Sequence, residues 1–411
     1  MRKLLFLVLL LFTPAARTQE RSGHPLLVGY FPQWGIYNQP AYFVKNLITS
    51  GSASLLDQLN YAQGFVVDNR CAVADPNADL NLVFTTENSV DGIADDPAKP
   101  FRGNFHQLQK LKKKYPKLKI LISLEGKAAL FAEAAKTEHR QAFVASCIDT
   151  FIRGSFAPGI RAPGIFDGID LDWEYPNEDD RANYVALLTE FRRQLNAVRP
   201  GQRLSIAVGA NEDHFKHIHL EVVSGLVDQV GVMNYDYNGP WSHTTGLIAP
   251  LYSIPGDPIP HNNIDETMQA YIRAGVPAHK LLLGVPFYAY HWEKVNDGNH
   301  GLFQAGQAVR ADQPYNYIQT IMDDYDAYRD PLTQAPWLFD GHTFWTYEDP
   351  ISIRHKWNYA QKQKLGGAMV WELGNDTPDA ELLKTIHAAM HARPVHTRPE
   401  QRIQESAIST R

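Results

Sequence analysis

Cysteine is nearly missing from this chain: its 411 residues include two, Cys71 and Cys147. Two thiols exclude a disulfide-built scaffold, and neither has a second soft ligand nearby, so no zinc site is expected. Cys147 falls in the helical stretch RQAFVASCIDTFI, where a small buried thiol is ordinary, and both cysteines are expected to be free. Long apolar runs are scarce as well. Leu4 to Phe12, behind Arg2 and Lys3 and ahead of Ala15, Ala16 and Thr18, is too short to span a bilayer. Its layout is that of an export leader, residues 1–18. No long basic run occurs, and the net charge of −6 argues against nucleic acid or an anionic membrane as partner. Neither a GxGxxG nor a phosphate-loop motif follows a first strand, and there are no tandem repeats.

What the chain does have is 44% hydrophobic residues, enough for a substantial core. Short β-type runs recur at 26–31, 57–66, 118–124, 164–174, 203–210, 228–235, 280–288 and 366–373. Helix-like segments separate them. In ANYVALLTEFRRQLNAVRP, Tyr184, Leu187, Leu188, Phe191 and Leu195 recur at the spacing of one helical face. Asp265 is the expected N-cap of DETMQAYIRAG. Eight strands alternating with helices predict a (β/α)8 TIM barrel over residues 25–391; an open doubly wound sheet is the competitor. The gap before the eighth strand, about 291–347, is rich in aromatics, glycine and proline and suits a small α+β insertion. Residues 392–411 are polar and aperiodic and read as a disordered tail.

One segment, FDGIDLDWEYP (166–176), carries the chemistry. On a strand, alternate side chains share a face, so Asp170, Asp172 and Glu174 point one way and Ile169, Leu171 and Trp173 the other. The apolar face packs on helices while the acids enter the barrel. Glu174 stands at the C-terminal end, where the catalytic residues of such barrels collect. Asp167 has the opposite parity and reads as a structural hydrogen-bonding group. Carboxylates this crowded cannot all ionise cheaply in a partly dry cavity, so at least one proton is retained, which general-acid catalysis requires. Calcium binding is disfavoured, because Ile, Leu and Trp intervene where a calcium loop has polar residues and a turn glycine. No metal is expected.

The same segment resembles the DxxDxDxE signature of the family-18 glycoside hydrolases, the chitinase family, with Asp167, Asp170, Asp172 and Glu174 in place. The resemblance runs from about Leu26 to Asp376 and takes in GYFPQWGIY, VMNYDYNGPW and GGAMVWELGND. It implies a retaining, substrate-assisted hydrolysis of β-1,4-linked N-acetylglucosamine polymers without a cofactor. Glu174 would be the acid, Asp172 would orient the 2-acetamido group, and Asp170, held by Tyr30 and Ser123, would share a proton with Asp172. Tyr235 and Asp236 would grip the sugar, Met233 and Tyr175 would shape the pocket, and Trp371 would be its floor. Trp34, Trp241 and Trp292 are further candidate stacking surfaces. The implied partner is chitin or a chito-oligosaccharide, met by an exported monomer. Hydrolysis of another N-acetylglucosamine glycan, an N-glycan core or peptidoglycan, and a non-catalytic chitin-binding lectin are the alternatives. Two positions depart from the family pattern. Ser123-Leu124-Glu125-Gly126-Lys127 replaces Ser-x-Gly-Gly-Trp, and Tyr290 stands where an Arg is common.

Overall fold

The strand Leu26–Pro32 pairs in parallel with both the second strand and the last one, and that double pairing closes the sheet. The computed structural model describes residues 24–392; the expected leader and the expected tail beyond residue 392 lie outside the described residues. The barrel strands are β1 (Leu26–Pro32), β2 (Gln58–Val67), β3 (Lys119–Glu125), β4 (Gly168–Asp172), β5 (Arg203–Gly209), β6 (Gln229–Met233), β7 (Leu281–Pro286) and β8 (Gly367–Trp371). Their order around the barrel follows the chain. The fold is therefore a (β/α)8 TIM barrel, and the open sheet is excluded by its closure.

The major helices are α1 (Gly103–Lys114), α2 (Thr137–Cys147), α3 (Arg181–Val198), α4 (Ile264–Arg273), α5 (Pro350–Lys362) and α6 (Glu381–His391). The buried residues of α3 are Tyr184, Leu187, Leu188, Phe191 and Leu195, the face read from the periodicity. Each aliphatic or Phe side chain buried there contributes roughly 1.5–3 kcal/mol. At α4 the expected cap is corrected. The Asn263 side chain accepts from Glu266 N–H at 3.0 Å, and Asp265 lies in the first turn, accepting instead from the Tyr359 hydroxyl at 2.8 Å. Asn263 has the extended backbone that a cap needs, two residues earlier than the periodicity suggested.

β4 is shorter than the expected 164–174. Its backbone begins where Gly168 lies against β5, since a Cβ there would sit 2.2 Å from the Arg203 carbonyl oxygen. Ile169 and Leu171 are fully buried on the outer face, and Trp173 stacks on Phe131 at 5.5 Å and touches Tyr184 of α3. Just below the strand, Asp167 accepts Ile120 N–H at 3.0 Å and pairs with Lys112 of α1. β7 ends at Pro286, short of the expected 288. Tyr288–Glu293 then opens a separate antiparallel sheet with Phe344–Thr346, Pro336–Phe339, Asp326–Arg329 and the short Gln307–Ala308. Trp292, fully buried in this sheet against Phe344, is core and offers no face to a sugar.

The cysteines are not free: Cys71 and Cys147 form a disulfide. β2 runs on past its expected end, turns at Asp68 and Asn69 with positive φ, and returns as Arg70–Val73. This hairpin sets Cys71 against α2, where Cys71 N–H also donates to Ser146 Oγ at 2.9 Å. The bond ties sequence positions 76 residues apart. Reduction of so long a loop is expected to cost about 2–4 kcal/mol. Guanidinium unfolding with and without dithiothreitol measures this, and coincident midpoints would contradict it.

Candidate active site

At the C-terminal ends of the strands lies a cavity of about 280 Å³. Its walls include Asp172 at the end of β4 and Glu174 just beyond it, Tyr30 of β1, Tyr235 and Asp236 after β6, and Trp371 of β8. Tyr175 and Met233 line it as well. The barrel thus gathers side chains from more than two hundred residues apart in sequence (Tyr30 to Trp371) around one strand's acids.

Asp170 lies one layer deeper and is nearly inaccessible. The register places it level with Ser123 of β3 and Ser205 of β5. Ser123 donates to Asp170 Oδ2 at 3.0 Å, the Tyr30 hydroxyl donates to the same oxygen at 2.8 Å, and Ser205 donates to Oδ1. Burial pushes the Asp170 carboxyl upward, but these hydroxyls stabilise its anion and oppose the shift. Asp172 is placed differently. It is 6% exposed, and its Oδ1 has no hydrogen-bond partner. Burial first, then the charges of Glu174, Asp170 and Glu125, hold its carboxyl well above the usual range. The two carboxyls of the expected proton-sharing pair thus sit in unequal surroundings: hydroxyl donors favour the anion of Asp170, and burial with neighbouring charges pushes Asp172 further toward its protonated form.

Glu174 follows the strand end and is held by a parallel backbone bridge to Lys127. Burial raises its carboxyl also, opposed by a hydrogen bond from Tyr175. The Tyr175 ring stacks flat on His214 at 3.9 Å. Asp236, at positive φ, accepts the Tyr288 hydroxyl at 2.6 Å and is also hydrogen-bonded by Tyr290. Burial pushes its carboxyl up to about 6. Trp371 contacts Tyr30 at 5.4 Å and Trp34 at 6.0 Å. Trp34 stands outside the cavity wall, and Trp241, 58% exposed, lies on the rim against Tyr290.

Several wall residues were not foreseen from sequence: Asn211, His214, Tyr288 and Asp312, together with Ser205 beneath. Ser205 had a usable signal, since it occupies an inward position on β5 in register with Asp170. Asp312, from the segment between Ala308 and Gln313, had none.

The family model for glycosyl hydrolases family 18 matches residues 26–376. This chain belongs to that family. Among solved family-18 relatives, the catalytic domain of psychrophilic chitinase B from Arthrobacter TAD20 matches with a TM-score of 0.82 at 31% identity, over 89% of this chain and 95% of that one. A family-18 N-acetylglucosaminidase from Paenibacillus barengoltzii gives 0.70 at 29% identity, over 89% and 99%. Chitinase C of Streptomyces lividans is 34% identical over 378 residues, 88% of this chain and 59% of that protein. Chitinase 63 of Streptomyces plicatus is 33% identical over 386 residues, 90% and 61%. The chain spans about three fifths of the length of these two curated relatives.

If the hydroxyl donors set the charge on Asp170, Ser205→Ala will raise its pKa by removing a bond to the ionised form. The acidic limb of the rate profile of this family-18 site then moves to higher pH, and turnover falls about tenfold, the worth of one such bond. A pH–rate series on wild type and variant checks this, and superimposable profiles would contradict it.

Proposed function

We propose that this family-18 chain is a chitinase that cleaves β-1,4-linked N-acetylglucosamine polymers with the help of the substrate's own acetamido group. The observation that carries the reading is the pairing, in one cavity, of a buried Asp172 whose Oδ1 lacks a partner with Glu174, whose carboxyl is pushed upward by burial. Glu174 gives its proton to the glycosidic oxygen as the bond to the anomeric carbon breaks. The acetamido carbonyl oxygen attacks that carbon from the opposite face, producing an oxazolinium ion and inverting the centre. Asp172 Oδ1 accepts the acetamido N–H, and its nearness to the developing positive charge draws the Asp172 proton away toward Asp170. Glu174, now ionised, takes a proton from water, which opens the ring and inverts the centre again. Tyr235 and Asp236 hold the sugar, and Trp371 offers an apolar face beneath it.

The names of the relatives, chitinases of Streptomyces and Arthrobacter, agree with this substrate. A lectin role fits poorly with a Glu174 kept in an acid's environment. Peptidoglycan fits poorly with a cavity whose lining, among the described residues, contains five carboxyls and no lysine or arginine, because the carboxylates of its stem peptides would be repelled. Attack within a chain rather than at its end belongs to the proposal, as Trp241 extends an aromatic surface past the cavity. Export of the monomeric enzyme does too. It rests on the leader-like start and on a disulfide that suits an oxidising compartment.

Glu174→Gln keeps the shape but not the proton, and kcat on chitotetraose is expected to fall by about 10³ or more while Kd changes little. The first product of wild type, followed by NMR, should be the β-anomer. Substantial activity in the variant, or an α-anomer first, would sink the mechanism.

A further inference from the structure

The closest and most nearly parallel pair of rings among the described residues is Tyr175 on His214, with centroids 3.9 Å apart and planes 6° off parallel. Both residues line the cavity, yet neither has a step of its own in the proposed reaction. Tyr175 is half-buried, and its hydroxyl hydrogen-bonds the carboxyl of Glu174. A ring that borders a cavity lacks packing partners on that side. The face behind it must therefore fix its position.

His214, which supplies that face, is itself firmly placed. It belongs to the short helix Glu212–Phe215 that follows β5. Phe215 is buried against Tyr271 of α4 at 4.4 Å, and the Tyr271 hydroxyl donates to the Gly209 carbonyl at 2.7 Å. The imidazole lies directly on Gly209, where a Cβ would come 2.5 Å from its Nδ1, so glycine leaves the room that the ring needs. That nitrogen is buried without a partner. Burial also lowers the imidazole pKa against the pull of Asp213, so the ring is uncharged at neutral pH. What His214 presents to Tyr175 is a flat face rather than a charge.

Resting on the chitinase reading, we infer that His214 is a positioning residue for the acid: its ring clamps Tyr175 so that the tyrosine hydroxyl stays on Glu174. Glu174 gives up a proton in the first step and takes one from water in the second, so its two forms have to lie close in energy. Burial favours the protonated form and the Tyr175 hydroxyl the ionised one. The other groups facing Glu174 are Asp172, Glu125 of β3, Asp236 and Tyr235. Lys127, bridged to Glu174 through its backbone, is exposed, and among the described residues no lysine or arginine lines the cavity. The stabilisation of the Glu174 anion thus depends on a hydroxyl, and the hydroxyl on the stack.

The test follows the Glu174 carboxyl by ¹³C NMR, assigned with Glu174→Gln, in wild type, Tyr175→Phe, His214→Leu, His214→Phe and the double variant Tyr175→Phe/His214→Leu. Leu fills the space over Gly209 without a flat ring, and Phe restores one. Tyr175→Phe and His214→Leu are each expected to raise the midpoint by about one pH unit, the worth of one hydrogen bond to a charged group, and the double variant by no more. His214→Phe should titrate as wild type does. The basic limb of kcat on chitotetraose should move up with the midpoint while KM changes little. An unmoved midpoint in Tyr175→Phe or His214→Leu, additive shifts in the double variant, or a Phe variant that behaves as Leu would each overturn the inference. Midpoints are read on folded protein, and if the Leu variant does not fold, His214→Gln replaces it with the same expected values. If wild type leaves chitotetraose uncut, the chitinase reading fails, and the midpoints still decide the role of His214.

Discussion

The supply of hydrogen-bond donors around one strand governs the site. β4 delivers two acids into the barrel, but only Asp170 is met by hydroxyls, from Tyr30, Ser123 and Ser205. Asp172, two residues on, has an oxygen with no partner. Two carboxyls of one sequence pattern are therefore biased differently, Asp170 toward its anion and Asp172 toward its protonated form, and the proposed acid–base chemistry draws on that difference. Remove the donors, and Asp170 loses the hydrogen bonds that favour its anion.

The barrel makes that arrangement possible by register. Ser123, Asp170 and Ser205 lie level on three adjacent strands, and Tyr30 reaches the same carboxyl from β1. The antiparallel sheet that follows β7 adds a second level of control. Its tyrosines 288 and 290 fix Asp236, so a residue of the barrel is oriented by a segment outside it. The apolar outer face of β4, through Trp173 on Phe131 and Tyr184, anchors the strand to α3. Core packing and site geometry are in this way one structure seen from two sides.

Much of this was legible in the amino-acid order. The alternation in GIDLDWE assigns the acids to one face, and the three-and-four spacing in α3 names its buried residues, because both patterns are local periodicities. What was not legible depended on contacts between distant segments. The hairpin that brings Cys71 to Cys147 turns on the left-handed Asp68 and Asn69, which no periodicity marks. Trp292 and Trp241 carry the same side chain, yet one is buried in the inserted sheet and the other is exposed on the rim. Ser205 adds a third hydroxyl donor to Asp170 from a strand that the carboxylate motif does not mark. The cap of α4 moved for a simpler reason, since Asn263 and Asp265 are both good caps and backbone geometry chose between them.

The claim at the centre is that Asp172 keeps its proton while Asp170 does not. A ¹³C NMR titration of side-chain carboxyls, with Asp172→Asn used for assignment, addresses it directly. The expected result is an Asp172 signal titrating well above the ordinary carboxyl value of about 4, with Asp170 ionising before it. An Asp172 that ionises in the ordinary range, ahead of Asp170, would contradict it.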